Sequence, residues 1–531
     1  MADSGMALAD YITLDEAALT LARMRMRKTV RNAPKEFLMR FFEMGEASQN
    51  KSPACDYLPP RRQWVRPGAK CRGRKNTGQL QVESIMRCVR AHERSGTLAA
   101  TAWGGRLVRL VADVQGRVER RDFSIGAPRA GKVPKLTVSG RREMRDISIF
   151  DDPADAVLLA RTAAYLRDWF EPVLMEGKCC YSFRKSRKLT HQSAVAALCR
   201  WRKRHEGETL FVAECDIRKF FDRIRHDEVL KALDRHAARL GGLDPAAREV
   251  VCAYLQCYRF GESDGEPCGI PQGGSLSPVL ANMVMAQADE AVLRFAAPGL
   301  FYARYCDDMV IAATDETLCR CAMDAYLAAL DGLHLPPHPV VDFRYGIEYF
   351  EAKSKGPFRW CDAERGAPGC ASWVSFLGNQ VRFDGAVRVR KDTVRKHVLK
   401  IKEEVGCAIG LWKRLGKKFR KGVSKEGFYK SLRRRLVAKG VGYLRAGPVP
   451  KDGICWAAAF PNLTRNAAAA RQMRTLDFVR ERALGALRRV FELKGMRFLG
   501  RPSSYYGYLM KVRRPGQGRR RVVARLPYSE M

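Results

Sequence analysis

No stretch of this chain is apolar for long enough to cross a bilayer, so a membrane-spanning helix is excluded and no membrane partner is expected. The seventeen cysteines include no C-x-x-C pair, and neither Cys319-x-Cys321 nor the Cys179-Cys180 doublet has zinc-knuckle spacing. Reduced thiols, packed as small apolar residues, are expected instead. Met1-Ala2-Asp3-Ser4 shows neither a basic segment nor an apolar one behind it, so no secretory signal is expected and the cytoplasm is the expected compartment. Acid is scarce: 57 Asp and Glu stand against 96 Lys and Arg, a formal net charge of +39. A folded chain so unbalanced repels itself unless a polyanion is close, which makes nucleic acid the leading partner.

What is present suits a folded protein of several parts. The 531 residues are 46% hydrophobic, enough for two to four domains. Thr13-Leu14-Asp15-Glu16 fits a helix-capping box, and a helix follows that is crowded by Arg23, Arg25, Arg27 and Lys28. That basic face is either solvated or set against RNA. Residues 51–80, with Arg61-Arg62 and Lys70 through Lys75, read as a loop or arm. Leu107-Val108-Arg109-Leu110-Val111 and Arg117-Val118-Glu119-Arg120 alternate about Gly116, which predicts a β-hairpin. Helices are expected from Asp155 to Phe170, from Ser193 to Arg204, through much of 223–262, and from Glu316 to Leu330. Phe343 to Phe350 reads as a strand. From Arg388 to Arg445 there are 20 Lys and Arg against four acids on amphipathic helices, a face suited to nucleic-acid backbone. One more helix, Arg474 to Leu493, precedes a tail with Tyr505-Tyr506-Gly507-Tyr508 and Arg519-Arg520-Arg521. That tail is set either for base stacking or for docking on the fold.

Three stretches carry the chemistry. Leu210 to Cys215 is an apolar strand that ends on Asp216. Gly269-Ile270-Pro271-Gln272-Gly273-Gly274-Ser275-Leu276-Ser277-Pro278 is an irregular loop that opens a helix with Pro in its first turn. Backbone N–H groups at such a helix start suit a phosphate. Phe301 to Ala313 reads strand, turn, strand, with the adjacent carboxylates Asp307 and Asp308 at the turn. Two neighbouring carboxylates repel each other, and a divalent cation with oxygen ligands relieves them. Each stretch alone also has a plain reading, as a strand end, a capped helix or an acidic turn.

Taken in order, these blocks resemble those of the reverse transcriptases of bacterial retroelements, over roughly residues 145–385. Leu210 to Asp222 looks like the first palm block and Gly269 to Asn282 like the Q-G-x-x-x-S-P loop. Tyr305-Cys306-Asp307-Asp308 looks like the Y-x-D-D hairpin, Phe376-Leu377-Gly378 like the primer grip, and Tyr181 to Arg187 like the basic fingers block. The resemblance implies an α+β right-hand polymerase with fingers (96–210), a palm (211–385, interrupted by a fingers insertion at about 223–265) and a helical thumb (386–450). A helical, basic N-terminal extension (1–95) and a basic C-terminal extension (451–531) flank it.

By the same resemblance the chain is an RNA-directed DNA polymerase. Asp216, Asp307 and Asp308 would hold two Mg²⁺ ions, with Mn²⁺ a substitute, and the Ile217 carbonyl would add a backbone ligand. Phe221 would exclude a 2′ hydroxyl, Gln272 and Gly273 would line the deoxynucleoside triphosphate, and Arg184 and Arg187 would hold its phosphates. Lys353, with Lys355 as its competitor, would protonate the leaving pyrophosphate. Expected partners are a structured noncoding RNA template, a DNA primer or product, deoxynucleotides and a possible second copy of the chain. Two departures stand out. Cys306 replaces the usual Ala, and the fingers block reads C-C-Y-S-F-R-K-S-R where mobile-intron enzymes have S-Y-G-F-R-P. No His/Cys-rich nuclease motif follows the basic helices, and this, with the long N-terminal extension, resembles the "unknown group" reverse transcriptases of antiphage defence more than intron enzymes. Asp477 carries a faint likeness to an intron-maturase helix.

Overall fold

A computed structural model describes residues 7–43, 52–68, 77–137, 139–186, 189–341, 352–362, 369–442, 455–493 and 504–511. Arg187, Lys70 through Lys75, the strand expected at 343–350 and Arg519-Arg520-Arg521 lie outside the described residues.

The chain opens with helix α1 (Leu14–Met39), where Thr13 Oγ1 accepts the Glu16 N–H as the capping signal predicts. Helices α2 (Thr77–Arg94) and α3 (Ala102–Arg120) follow. α3 overturns the hairpin expected around Gly116. Leu107, Leu110, Val111, Val114 and Val118 are buried along one face, a spacing of three and four residues that belongs to a helix. The hairpin comes later, as β1 (Arg129–Leu136) and β2 (Arg142–Ile149), paired antiparallel from Arg129↔Ile149 to Leu136↔Arg142. Next come α4 (Pro153–Gly177) and α5 (His191–Arg204).

The palm begins with β3 (Phe211–Cys215), then α6 (Phe220–Arg223), α7 (His226–Leu240), α8 (Pro245–Gln256) and the small hairpin β4 (Gly261–Ser263) and β5 (Glu266–Cys268). After α9 (Ser277–Leu293) come β6 (Leu300–Tyr305), β7 (Asp308–Ala313), α10 (Glu316–Gly332), β8 (Val340–Val341), β9 (Ser354–Trp360) and β10 (Cys370–Ala371). The sheet order is β10-β9-β3-β7-β6, with β8 also beside β9. β3 is antiparallel to both β7 and β9, while β8 and β10 run parallel to β9, so the sheet is mixed.

Strand alternation feeds two cores. Ala213, Cys215, Met309 and Ile311 join the core that holds α9 and α10. Val212, Val310 and Ala312 join a second one with Leu198 of α5 and Val374. Each fully buried Val or Ile contributes roughly 1.5–3 kcal/mol. β3 and β7 are therefore anchored from both sides, and their loop ends are held in register. The N-terminal helices share the first of these cores through Ala17, Ala18, Leu21 and Ala22.

A three-stranded sheet, β11 (Trp373–Phe376), β12 (Asn379–Arg382) and β13 (Val387–Val389), leads to α11 (Lys391–Arg414) and α12 (Lys425–Val441) in the expected thumb; α13 (Ala467–Val490), in the expected C-terminal extension, packs against both. At about 1.5 Å per residue, α1 is roughly 39 Å long. Just beyond its far end Phe42 is buried among Trp412 and Phe428 of the expected thumb and Phe491 directly after α13, with Phe37 and Phe41 packed beside it. The last described helix is α14 (Tyr505–Lys511). Asp477 accepts the N–H groups of Tyr505 and Tyr506, each at 2.9 Å, and His397 Nε2 meets the Tyr505 hydroxyl at 2.7 Å. Tyr505 and Tyr508 are buried. This part of the tail is thus docked. No described helix is long and apolar enough to cross a membrane. The described cysteines are all free thiols.

Candidate active site

The β6–β7 turn is two residues long: Tyr305 pairs with Asp308, leaving Cys306 and Asp307 at the tip. Cys306 adopts the left-handed region at φ 62°. Across the sheet Cys215 of β3 pairs with Met309 of β7, so one step further Asp216 arrives beside Asp308. The three carboxylates predicted from sequence therefore meet at one end of the sheet. Asp216 is held through its backbone, its N–H donating to Ser354 Oγ at 3.1 Å and its C=O accepting from the His338 N–H at 2.8 Å.

Electrostatics mark the spot as short of positive charge. Burial, followed by the neighbouring Asp216, raises the Asp307 carboxyl above its ordinary range. Burial, then Asp307, Glu214 and Asp216, pushes Asp308 up to about 8. A divalent cation is the natural counterweight. Among the described residues no three His, Cys, Asp or Glu side chains form a complete cage for an ion. Two cleft carboxylates that leave the other positions to water and substrate phosphates are how Mg²⁺ is usually held, so the donor set fits.

A prediction follows from Asp308. Unfolded, its carboxyl ionises near 3.8; folded, it keeps its proton to about 8. Between these values the folded state binds more protons, so its contribution to stability is full below about pH 4 and is lost as pH rises toward 8. The melting temperature in chelator is expected to fall from pH 5 to pH 8, by about 2–4 °C per kcal/mol lost. Asp308→Asn should flatten that slope, and an unchanged slope would show that Asp308 is not its source.

A cleft of about 1030 Å³ opens over the carboxylates, with Asp216, Asp307, Phe221, Gln272, Gly273 and Lys353 in its lining and β2 as its facing wall. Phe221 is half-buried against Phe220, ring centroids 5.3 Å apart, and Phe220 belongs to the core. Gln272 Nε2 donates to Asp222 Oδ1 at 2.8 Å, which leaves Gln272 Oε1 free of that carboxylate and able to accept. The Gln272 carbonyl takes the Ser148 N–H at 2.8 Å and ties the loop to β2. At Gly273, φ is 109° and a Cβ would stand 3.0 Å from Ser148 O, so only glycine fits without strain. Ile217 also lines the cleft.

Lys353 and Lys355 part company here. Lys353 Nζ lies 3.2 Å from Asp216 Oδ2 and 2.9 Å from His338 Nε2, at the cleft. Lys355 is buried against Glu214, Nζ to Oε2 2.6 Å. Lys353 is the one within reach of a substrate.

Arg184 is a correction. Its guanidinium pairs with Glu171 at 2.8 Å and donates to the Leu174 and Cys180 carbonyls, and only 2% of the side chain is exposed. It braces the end of α4 and does not face the cleft. The cations that do line it are Arg145 on β2, Arg218 and Lys219 beside the Asp216 strand end, Arg223 and Lys353. Arg145 lowers the Asp307 carboxyl's pKa, one of the smaller influences there, so the two charges sense each other. Arg145 and His338 were missed because neither sits in a recognisable motif. An arginine on the strand of a hairpin was the available signal, and it was lost when the hairpin was placed one element too early.

Residues 172–337 match the family model of reverse transcriptase (RNA-dependent DNA polymerase). That span contains Asp216, Gln272, Asp307 and Asp308, so the family match and the site coincide, and the chain carries a reverse transcriptase domain. It is similar to a putative COX1/OXI3 intron 1 protein of Saccharomyces cerevisiae, 31% identical over 109 residues, 20% of this chain. The chain spans only 12% of that relative's length. Among solved structures it is similar to telomerase from Candida albicans in complex with a fragment of telomeric RNA (TM-score 0.37, 10% identity, 73% of this chain and 68% of that one). Apo telomerase from Candida tropicalis is comparable (TM-score 0.37, 8% identity, 77% and 74%).

Proposed function

We propose that the whole chain extends a primer with deoxynucleotides on an RNA template. The observation that carries this reading is the meeting of Asp216 and Asp307 at the floor of a cleft walled by Gln272-Gly273 and β2. Asp216 and Asp307 would hold two Mg²⁺ ions, with Asp308 behind them and Mn²⁺ as a substitute. When bound, such ions neutralise the reacting phosphate and lower the pKa of the 3′ hydroxyl.

The chain's own residues do the rest. Arg145 and Lys219 grip the triphosphate. Phe221 closes the space beside the sugar, and Gln272 presents its Oε1 to the substrate. Lys353 delivers a proton to the departing pyrophosphate. The basic faces of α11 and α12 hold the template–primer backbone. The test is incorporation of labelled deoxynucleotides by the purified full chain with its co-purified RNA. Expected is DNA product that RNase pretreatment abolishes; absence of product with any supplied RNA and primer would refute the reading.

At a finer level, we propose a dedicated structured noncoding RNA as template and a role in antiphage defence in the cytoplasm. The net charge of +39 and the N-terminal helices built into the palm core support a tightly bound RNA. Loss of phage protection in cells carrying Asp307→Asn is expected, and retained protection would remove the defence role. The likeness to an intron protein favours a second reading, an intron-type enzyme that also assists splicing. Sequencing the co-purified RNA separates the two.

A further inference from the structure

The peptide of Cys306, one residue before Asp307, is clamped from both sides by buried side chains. Its N–H donates to Ser182 Oγ at 3.0 Å, and its C=O accepts from Arg304 Nη1 at 3.0 Å. Ser182 and Arg304 are both 0% exposed. Asn282 Oδ1 joins the two arms, accepting from the Ser182 hydroxyl at 3.1 Å and from Arg304 Nη1 at 3.2 Å. Asp289 balances the arginine, taking Nε at 2.7 Å and Nη2 at 2.6 Å. The Ser182 segment is itself pinned to β6: Arg304 N–H donates to Cys179 O and Tyr181 N–H to Arg304 O, each at 2.9 Å.

The clamp has work to do. A side chain other than glycine in the left-handed region is held there against roughly 1–2 kcal/mol, so the turn keeps its shape only if its surroundings hold it. A rigid turn decides where the next carboxylate points. The two departures noted in the sequence also meet here. Ser182 stands where the mobile-intron pattern Y-G-F-R has glycine, and Cys306 where alanine is usual. Glycine at 182 would leave the Cys306 N–H buried without this acceptor, a loss that backbone groups rarely tolerate.

We propose that Ser182 and Arg304 are positioning residues that fix Asp307 for cation binding, with Ser182 supplying an acceptor that the glycine of the mobile-intron pattern lacks. This deepens the polymerase reading and rests on it. The test uses the full chain and Mn²⁺ as probe. In Ser182→Ala, amide hydrogen exchange at Cys306 is expected to quicken at least about tenfold, and Mn²⁺ binding by the apo-protein to weaken roughly tenfold, the scale of one buried hydrogen bond. In primer extension kcat should fall by a similar factor, with the deoxynucleotide KM within about twofold. Arg304→Lys, which keeps the charge for Asp289 but not the fork reaching Cys306, is the second arm and should move the same readouts. Wild-type exchange and Mn²⁺ affinity in both variants would overturn the clamp. So would a fall in melting temperature with Mn²⁺ affinity unmoved. If the wild-type chain makes no DNA, the polymerase reading fails, while the exchange and Mn²⁺ readouts still decide the clamp.

Discussion

Asp307→Asn is expected to reduce DNA synthesis by on the order of 10³-fold or more, about 4 kcal/mol of barrier. The substitution changes almost no volume and leaves the two-residue turn in place, so the loss isolates charge and metal ligation. Its direction in stability is opposite. Asp307 raises the Asp308 pKa through like-charge repulsion, so removing its charge relieves Asp308. The melting temperature of the variant in chelator should therefore match or exceed that of the wild type at pH 8. Single-turnover extension at saturating Mg²⁺ and a thermal scan check both halves. Retention of a tenth or more of the activity would mean that Asp307 does not bind the catalytic cation.

Phe221→Val is expected to raise the use of ribonucleotides relative to deoxynucleotides roughly 10²-fold in kcat/KM, the scale on which a pocket discriminates a single small group. The ring lies half-buried at the cleft wall with the core residue Phe220 behind it, so it cannot swing away to admit a hydroxyl. Its backbone role survives the substitution, because the contact to the Ile270 N–H is made by the Phe221 carbonyl. Discrimination measured with matched ribo- and deoxynucleotides decides the matter. An unchanged ratio would make Phe221 a packing residue.

The palm was legible because its signals are local. Asp216 follows an apolar strand, Asp307 and Asp308 sit between two others, and Gln272-Gly273 precedes a proline-opened helix. Each is a short pattern that backbone geometry turns into position. What escaped depended on partners distant in sequence. Arg184 looks like a phosphate ligand until Glu171, thirteen positions earlier, folds back to neutralise it. Arg304 reads as an interruption in a strand until Asp289 and Asn282 arrive on α9. Leu107 to Val111 and Arg117 to Arg120, taken as separate short windows about Gly116, fit either period. Only the run to Val118 shows the helix.

The strut made by α1 has a mechanical consequence. Its first turns belong to the palm-side core, and the phenylalanines at its far end sit inside the thumb. Swinging the thumb outward would have to bend the helix or strip aromatic rings from their packing. A hand tied in this way resists opening sideways, and on the polymerase reading proposed above a bound template–primer would leave it slowly. On that reading, long products from few initiations, rather than many short ones, are the expected outcome of a single-hit extension assay.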